Sequence, residues 1–173
     1  TGRAVARDAV KDLAENGLKL KSLTLTAKDK ICFCPESTCH PDECRYAKGY
    51  FDRVNEAVET VFKERDAMTR EVIEEEAEKF NICPFEFSLD LSLWVDAIIC
   101  DYNYAFDPRV YLRRFFIEEG ENTARKFAFL VDEANNMVDR SREMFSAQLF
   151  KQPILDVRRA VKGQVKDIFQ ALG

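Results

Sequence analysis

The sequence lacks several features that would assign it to a class at once. No apolar run approaches the about 18 residues of a membrane-spanning helix, so we expect a soluble protein that does not bind membranes. Acidic residues outnumber basic ones by 31 to 26, and the net charge of −5 excludes a globally basic nucleic-acid coat protein but permits local basic patches. The missing initial methionine, signal peptide and transit peptide predict an internal fragment of a cytoplasmic protein.

Histidine is nearly absent, whereas cysteine is frequent. The only histidine, His40, is assigned to the surface. The six cysteines are Cys32, Cys34, Cys39, Cys44, Cys83 and Cys100. A disulfide scaffold is disfavoured, because such scaffolds usually have fewer than about 100 residues and no large core. The clustered thiols therefore predict a metal site.

Hydrophobic periodicity predicts an alternation of helices and strands. Helices are predicted over residues 3–16, with Gly17 as C-cap, and over 51–80 with a break near 65–69, 92–94, 107–114, 140–150 and 153–172. Strands are predicted over residues 18–26, 97–100 and 127–131. Residues 28–50 lack periodicity and are assigned to a ligand loop. We therefore expect an α/β fold with parallel strands, a mainly helical, cysteine-bearing insertion and a helical C-terminal segment.

The apolar run 127–131 ends at two carboxylates, Asp132 and Glu133. In nucleotide-hydrolysing parallel sheets, a strand delivers one carboxylate to the Mg²⁺ shell, and the next carboxylate activates the attacking water. We assign these catalytic roles to Asp132 and Glu133 respectively; the alternative is that the pair only caps the following helix. No phosphate-binding Gly-Lys-Ser/Thr loop is present, so we expect it before Thr1 in a longer parent chain and expect the fragment alone to be inactive.

Cysteine spacing identifies four candidate ligands, in the pattern Cys32-x6-Cys39-x4-Cys44-x38-Cys83. Four thiolates suit either a structural zinc ion or an iron–sulfur cluster. Zinc sites usually pair their ligands at short spacing on both sides, which the solitary Cys83 does not match. The spacing favours the cluster, and zinc remains the alternative.

Several motifs in fixed order resemble the XPD/DinG family of superfamily 2 DNA helicases. They are Thr1 and Arg3 (motif Ia), Lys30-Ile31-Cys32, Cys39, Cys44 with Tyr46-Ala47-Lys48-Gly49, Cys83-Pro84-Phe85-Glu86, Cys100-Asp101-Tyr102-Asn103-Tyr104 and Val131-Asp132-Glu133-Ala134. The resemblance covers nearly the whole chain.

The resemblance implies a 4Fe-4S cluster, held by Cys32, Cys39, Cys44 and Cys83, in a domain inserted into the first RecA-like motor domain. It also implies a parent chain that unwinds DNA 5′ to 3′ using ATP and Mg²⁺, in DNA repair or replication near a bacterial nucleoid. The implied limits are 1–27 and 91–144 for the RecA-like domain with its Walker B motif, 28–90 for the iron–sulfur domain and 145–173 for the start of an arch domain.

Three residues depart from the family pattern or extend it. Asn135 replaces a histidine that, by resemblance, couples hydrolysis to DNA movement. Cys34 is an extra thiol, which we interpret as an exposed bystander. Cys100 ends a predicted buried strand and is interpreted as a small core residue.

Cations and rings around the ligand loop form a candidate site for single-stranded or forked DNA. Cations neutralise phosphates, and rings stack on unpaired bases. The candidates are Lys28, Lys30, Arg45, Tyr46, Lys48 and Arg53, with less support for Arg113 and Arg114. The alternative is that the rings close a small core, which we expect for Phe51 and at least one of Tyr46 and Tyr50.

Partners and competing functions complete the prediction. Besides DNA and the rest of the helicase chain, we expect self-association of the fragment through an exposed sheet edge. The competing functions are an iron–sulfur redox module, or a zinc- or iron–sulfur-stabilised nucleic-acid-binding module, without motor activity.

Overall fold

A computed structural model describes residues 2–116 and 127–160. The helices are α1 (Gly2–Glu15), α2 (Lys28–Ile31), α3 (Tyr50–Glu64), α4 (Arg70–Lys79), α5 (Pro84–Leu91), α6 (Asn103–Phe106), α7 (Met137–Met144) and α8 (Lys151–Ala160). The strands are β1 (Ser22–Thr24), β2 (Ala67–Met68) and β3 (Ala97–Ile99). Short 3-10 turns lie at Arg113–Phe115 and Ala134–Asn136. The predicted α/β class is confirmed.

The three strands form one parallel sheet in the order β2-β1-β3. Leu23 of β1 lies opposite Met68 on one side and Ile98 on the other. The predicted break near 65–69 is confirmed, and it contains β2, a strand that the sequence did not reveal. Two residues are too few to produce a readable alternation of apolar and polar side chains.

One hydrophobic core joins the sheet to α3, α4 and α5. Its fully buried large side chains are Leu23, Leu25, Val61, Met68, Ile73, Ile82, Phe87 and Leu91. The cysteine-bearing segment therefore packs on the sheet through shared apolar contacts, which fixes its loops relative to the strands. The predicted domain limits stay a prediction.

Two helices end in left-handed residues that turn the chain sharply. Gly17, at φ 97°, ends α1 as predicted. Asn81, at φ 52°, ends α4, and the N–H of Ile82 reaches back to the carbonyl of Ala77 at 2.9 Å. This is a Schellman cap, in which asparagine tolerates the left-handed conformation better than most residues do. The turn leads directly from α4 to Cys83.

The prediction of a buried strand over residues 127–131 is wrong. This segment has no regular secondary structure and is exposed, and Leu130 is 100% exposed. No strand in the described ranges pairs with it, so its backbone has no ladder to join. The rings of Phe127 and Phe129 instead pack against Phe116, with centroids 6.1 and 6.3 Å away.

Other boundaries also differ from the prediction. The predicted helix over 107–114 does not form. The helix α6 lies before this segment and ends at its C-cap Asp107, whose carboxylate accepts the backbone N–H of Arg109 at 2.9 Å. Residues 92–94 form a turn after α5. The two C-terminal helices are present as α7 and α8, but both start earlier than predicted, and α7 ends at Met144 instead of at residue 150. Residues 161–172 of the last predicted helix lie outside the described residues. No helix in the described part of the chain is long and apolar enough to span a bilayer.

Candidate functional site

One of the four candidate cysteine ligands contacts the ammonium group of Lys28, and two others act on it through their charge. Its Nζ donates a hydrogen bond to Sγ of Cys39 at 2.8 Å. This bond is the main reason that the pKa of Lys28 is raised; desolvation opposes it, and the thiolates of Cys39, Cys32 and Cys83 add to it. The helix α2 thus places a positive charge where negative sulfur ligands would collect.

The fourth candidate, Cys44, lies in a tight turn and is buried. Burial alone would raise its pKa, but hydrogen bonds from the backbone N–H groups of Ala47 and Tyr46, with contributions from Ser37 and Cys34, outweigh it and lower the pKa. Such bonds stabilise a thiolate.

Cys83 repeats this arrangement at the start of another element. It is the N-cap of α5, and Pro84 occupies the first helical position. The pKa of Cys83 is raised, mainly by burial, whereas the backbone N–H groups of Glu86 and Phe85 act to lower it. Both cysteines therefore accept amides two and three residues further along the chain, which is an environment suited to an anionic sulfur ligand.

The donor set fits a cluster chemically, although its geometry does not demonstrate one. All six cysteines are free thiols. Within residues 2–116 and 127–160, no group of three or more Cys, His, Asp or Glu side chains is arranged to hold one metal ion. In a four-iron cluster each sulfur binds a different iron, so the thiols need not meet at one point. The cluster stays a prediction.

The remaining cysteines and His40 have different surroundings. Cys34 is half-buried beside Cys44, and burial followed by the neighbouring Cys44 raises the pKa of Cys34. It is therefore less exposed than expected and contacts a candidate ligand. Cys100 packs on the core as predicted, and burial raises its pKa to about 11. His40 is exposed, as predicted, 3.3 Å from Asp42.

Most of the proposed DNA-binding cations are engaged inside the protein. Lys28 bonds to Cys39, as described above. Arg45 stacks on the ring of Tyr46, 4.5 Å from its centroid, and approaches Oε1 of Glu78 at 3.4 Å. Arg53 donates to two backbone carbonyls. These side chains would have to give up internal contacts to bind phosphate.

The aromatic residues are placed differently from the DNA-stacking prediction. Tyr46 is only 4% exposed, its ring packs on Phe33, and its hydroxyl donates to Glu78 at 2.8 Å. Tyr50 is also buried, and its hydroxyl donates to Asp90 at 2.8 Å. Neither ring can stack on a base in this conformation, so the assignment of Tyr46 to DNA binding is not favoured.

Phe51, which was expected in the core, is 83% exposed. The buried positions of α3 are Tyr50, Val54, Ala57 and Val61. One residue along a helix rotates a side chain by about 100°, so Phe51 lies away from this buried stripe. The spacing of α3 alone could have revealed the exposed ring. Phe51 is the best placed ring near the loop for contact with a base.

Two of the candidate DNA-binding cations remain free to bind phosphate. The side chains of Lys30 and Lys48 are exposed, and neither ammonium makes a hydrogen bond or ion pair in the described part of the chain. Lys30 lies in α2, and Lys48 lies in the turn that follows Cys44. Together with Phe51 they form the part of the predicted nucleic-acid site that is free to bind, named here the loop face.

Asp132 and Glu133 lie in an exposed turn directly before the 3-10 turn Ala134–Asn136. Oδ1 of Asp132 accepts the N–H of Glu133 at 2.9 Å, and Glu133 adopts a left-handed φ of 50°. Nδ2 of Asn136 donates to Oε2 of Glu133 at 2.9 Å, whereas Asn135 contacts Asn136 at 3.3 Å. Asn136, which the sequence analysis did not select, therefore orients Glu133.

Asp132 also lies against the start of α1. A Cβ added to Gly2 would come within 2.7 Å of Oδ2 of Asp132. On the same helix, Nε of Arg3 is 3.5 Å from Asp101, which follows β3. The start of α1 therefore meets both the end of a strand and the acidic pair, at the carboxyl edge of the sheet, where ligands of α/β proteins bind.

A comparison with family models identifies the family of the chain. The DEAD_2 model, the DEAD-like helicase domain of DinG/XPD-type helicases, matches residues 9–154. The chain belongs to the DEAD_2 family. It is accordingly part of a RecA-like helicase domain with a helicase-type function, and the family supports nucleotide and nucleic-acid binding. A comparison with curated proteins found no match.

Proposed function

We propose that this DEAD_2 chain is part of an ATP-dependent DNA helicase that moves 5′ to 3′ and contains a 4Fe-4S cluster. The cluster ligands would be Cys32, Cys39, Cys44 and Cys83. The observation that carries the proposal is the 2.8 Å hydrogen bond from Lys28 to Cys39, together with the backbone amides that the sulfurs of Cys44 and Cys83 each receive. Positive charge and backbone amides near a sulfur stabilise the thiolate form that binds metal.

The residues of the chain would perform distinct tasks around that cluster. When bound, the cluster supplies a covalent cross-link between the ligand loop and the start of α5. Lys28 offsets the negative charge of the thiolates through its 2.8 Å bond to Cys39. Tyr46 and Phe33 cover the loop from the inside, with ring centroids 4.9 Å apart. The loop is thereby held rigid enough to guide or split DNA.

Metal analysis tests this proposal directly. The chain is purified without oxygen, supplied with iron and sulfide, and assayed for iron, labile sulfide and zinc. We expect about four irons per chain and broad absorption near ~400 nm. One zinc per chain without sulfide would support the zinc-stabilised module instead. A protein with neither metal would contradict the proposal.

The loop face predicts weak, salt-dependent binding of single-stranded DNA. Because phosphate contacts release counterions, affinity should fall steeply between about 50 and 200 mM salt. Lys48→Ala should weaken binding for all sequences and reduce the salt dependence. Phe51→Ala should cost about 1–3 kcal/mol if the ring stacks on a base. Fluorescence anisotropy with a labelled oligonucleotide measures both effects.

The matched control for these variants is Lys63→Ala. Lys63 lies on the same helix α3, but its ammonium pairs with Glu59. It should leave affinity unchanged. An affinity that does not depend on salt, or an equal loss in Lys63→Ala, would show that the loop face does not bind DNA. Absorption near ~400 nm without any DNA binding would favour the redox module.

A further inference from the structure

Arg53 connects the two segments that carry Cys44 and Cys83. It lies in the first turn of α3, and its side chain extends back past the start of the helix. Nη2 donates to the carbonyl of Lys48 at 2.6 Å and to the carbonyl of Asn81 at 2.8 Å. A single guanidinium nitrogen therefore joins two loops that are far apart in sequence.

Each carbonyl belongs to a turn that sets the position of a cysteine. Lys48 ends the turn after Cys44, and its N–H donates to the carbonyl of Cys44 at 3.1 Å. Asn81 is the left-handed residue that caps α4, two positions before Cys83. The bonds of Arg53 thus fix the exit from one cysteine turn and the entry to the other.

Arg53 is half-buried, with part of its guanidinium shielded from solvent. Its Nε is buried and has no hydrogen-bond partner among the described residues. The guanidinium lies against Gly49, where an added Cβ would come within 2.7 Å of Nη1. Gly49 also has a φ of 66°, a conformation that favours glycine. This packing suits an internal tie better than a phosphate contact.

The side-chain hydrogen bonds that start in the turn after Cys44 end at a different place. In the described part of the chain, Arg45 and Tyr46 both reach Glu78, which lies inside α4. Helical hydrogen bonds already fix the backbone at that position. Arg53 alone among these three reaches beyond the end of α4 toward Cys83.

We propose that Arg53 is a positioning residue that sets the separation of Cys44 and Cys83 before any metal binds. The role depends on the length of the arginine side chain and on the planar guanidinium, which holds the two N–H groups of Nη2 in fixed directions; the shorter lysine with its rotating ammonium does not reproduce this. In its metal-binding consequence, the proposal rests on the proposed cluster. It replaces the assignment of Arg53 to DNA binding.

Hydrogen exchange of the metal-free chain tests the tie without using the cluster. In Arg53→Gln, the amides of Lys48, Ile82 and Phe87 should exchange at least about fivefold faster, since the two turns open locally. The amide of Leu25, which donates to Ile99 at 2.9 Å, should keep its protection. Arg65→Gln is the control, because that exposed side chain makes no hydrogen bond in the described residues.

The exchange results decide the proposal in each case. Unchanged exchange at Lys48 and Ile82 would overturn it, as would full restoration by Arg53→Lys. If Arg53→Gln also speeds the exchange of the Leu25 amide, the same amides are compared between Arg53→Lys and the wild type instead. Loss of protection throughout the chain in both variants would also overturn it, because Arg53 would then serve general stability.

Iron retention supplies the second readout. After reconstitution, a chelator should remove iron about tenfold faster from Arg53→Gln than from the wild type, with Arg65→Gln unchanged. Retention at the wild-type rate would overturn the positioning role. If the wild type itself binds no iron, the proposed cluster fails, whereas the exchange measurement still decides the role of Arg53.

Discussion

Cys83→Ser should lose nearly all of its iron while keeping its fold. Serine offers a hydroxyl in place of the thiolate that would bind iron, so the cluster loses one of its four ligands. The helix α5 should nevertheless begin normally, because Cys83 is its N-cap and serine is a preferred N-cap residue ahead of Pro84. This substitution therefore separates loss of a ligand from loss of a helix.

The measurement is iron and labile sulfide per chain, with circular dichroism as the test of folding. Cys100→Ser is the matched control, since Cys100 is also a partly buried free thiol but lies at the end of β3. Cys34→Ser should also retain iron, because Cys34 contacts Cys44 without belonging to the predicted ligand set. Full iron content in Cys83→Ser would remove Cys83 from the ligand set.

The parts of the fold predicted well are those in which local pattern and burial coincide. Apolar residues at three- and four-residue steps, among them Val54, Val58 and Val61, predicted α3; Val54 and Val61 are buried in the core, and Val58 packs against it. Gly17 marked the end of α1 because a left-handed cap favours glycine. In both cases the residues near in sequence contain all the information that the element needs.

The misplaced parts depend on partners that are distant in sequence. Residues 127–131 have the composition of a buried strand, but a strand forms only where another strand supplies its hydrogen bonds. Likewise, β2 exists because Met68 lies beside Leu23, and no pattern within two residues announces that pairing. Sequence periodicity describes the capacity of a segment, whereas its neighbours decide the outcome.

The candidate site shows the same division. Cysteine spacing selected thiols that lie near Lys28, but charge and aromaticity alone could not distinguish internal contacts from surface ones. Arg53 and Tyr46 satisfy buried or structural partners, and Phe51 projects outward. The charge or aromatic ring of a side chain indicates what the residue can bind. Only the packing around the side chain shows whether it is free to bind.

Glu133→Gln should reduce DNA-stimulated ATP hydrolysis at least about hundredfold in a longer chain that also contains the phosphate-binding loop. A glutamine keeps the shape of the side chain but cannot accept the proton of the attacking water. The effect should be far larger than that of changing Asn135, whose side-chain amide donates to Asn136. Steady-state phosphate release with saturating single-stranded DNA measures the rate.

Asn136 provides the matched comparison in the same turn. Its amide donates to Oε2 of Glu133 at 2.9 Å, so if Glu133 is the general base that we predict, Asn136→Ala should lower hydrolysis by releasing this carboxylate from its orientation. Asn135→His restores the histidine that the family resemblance implies at this position. Because Asn135 is one hydrogen bond removed from Glu133, this change should alter DNA unwound per ATP more than the rate of hydrolysis.

Paired assays of hydrolysis and unwinding distinguish these roles. We expect Glu133→Gln to stop both activities, Asn136→Ala to lower both in proportion, and Asn135→His to change their ratio. Both activities should fall in proportion for Asn136→Ala, because a misoriented Glu133 slows each round of hydrolysis without changing how much DNA is unwound per ATP. If Asn135→His instead raises hydrolysis severalfold at a constant ratio, then Asn135 limits the chemical step. The assignment of coupling to this position would then be wrong.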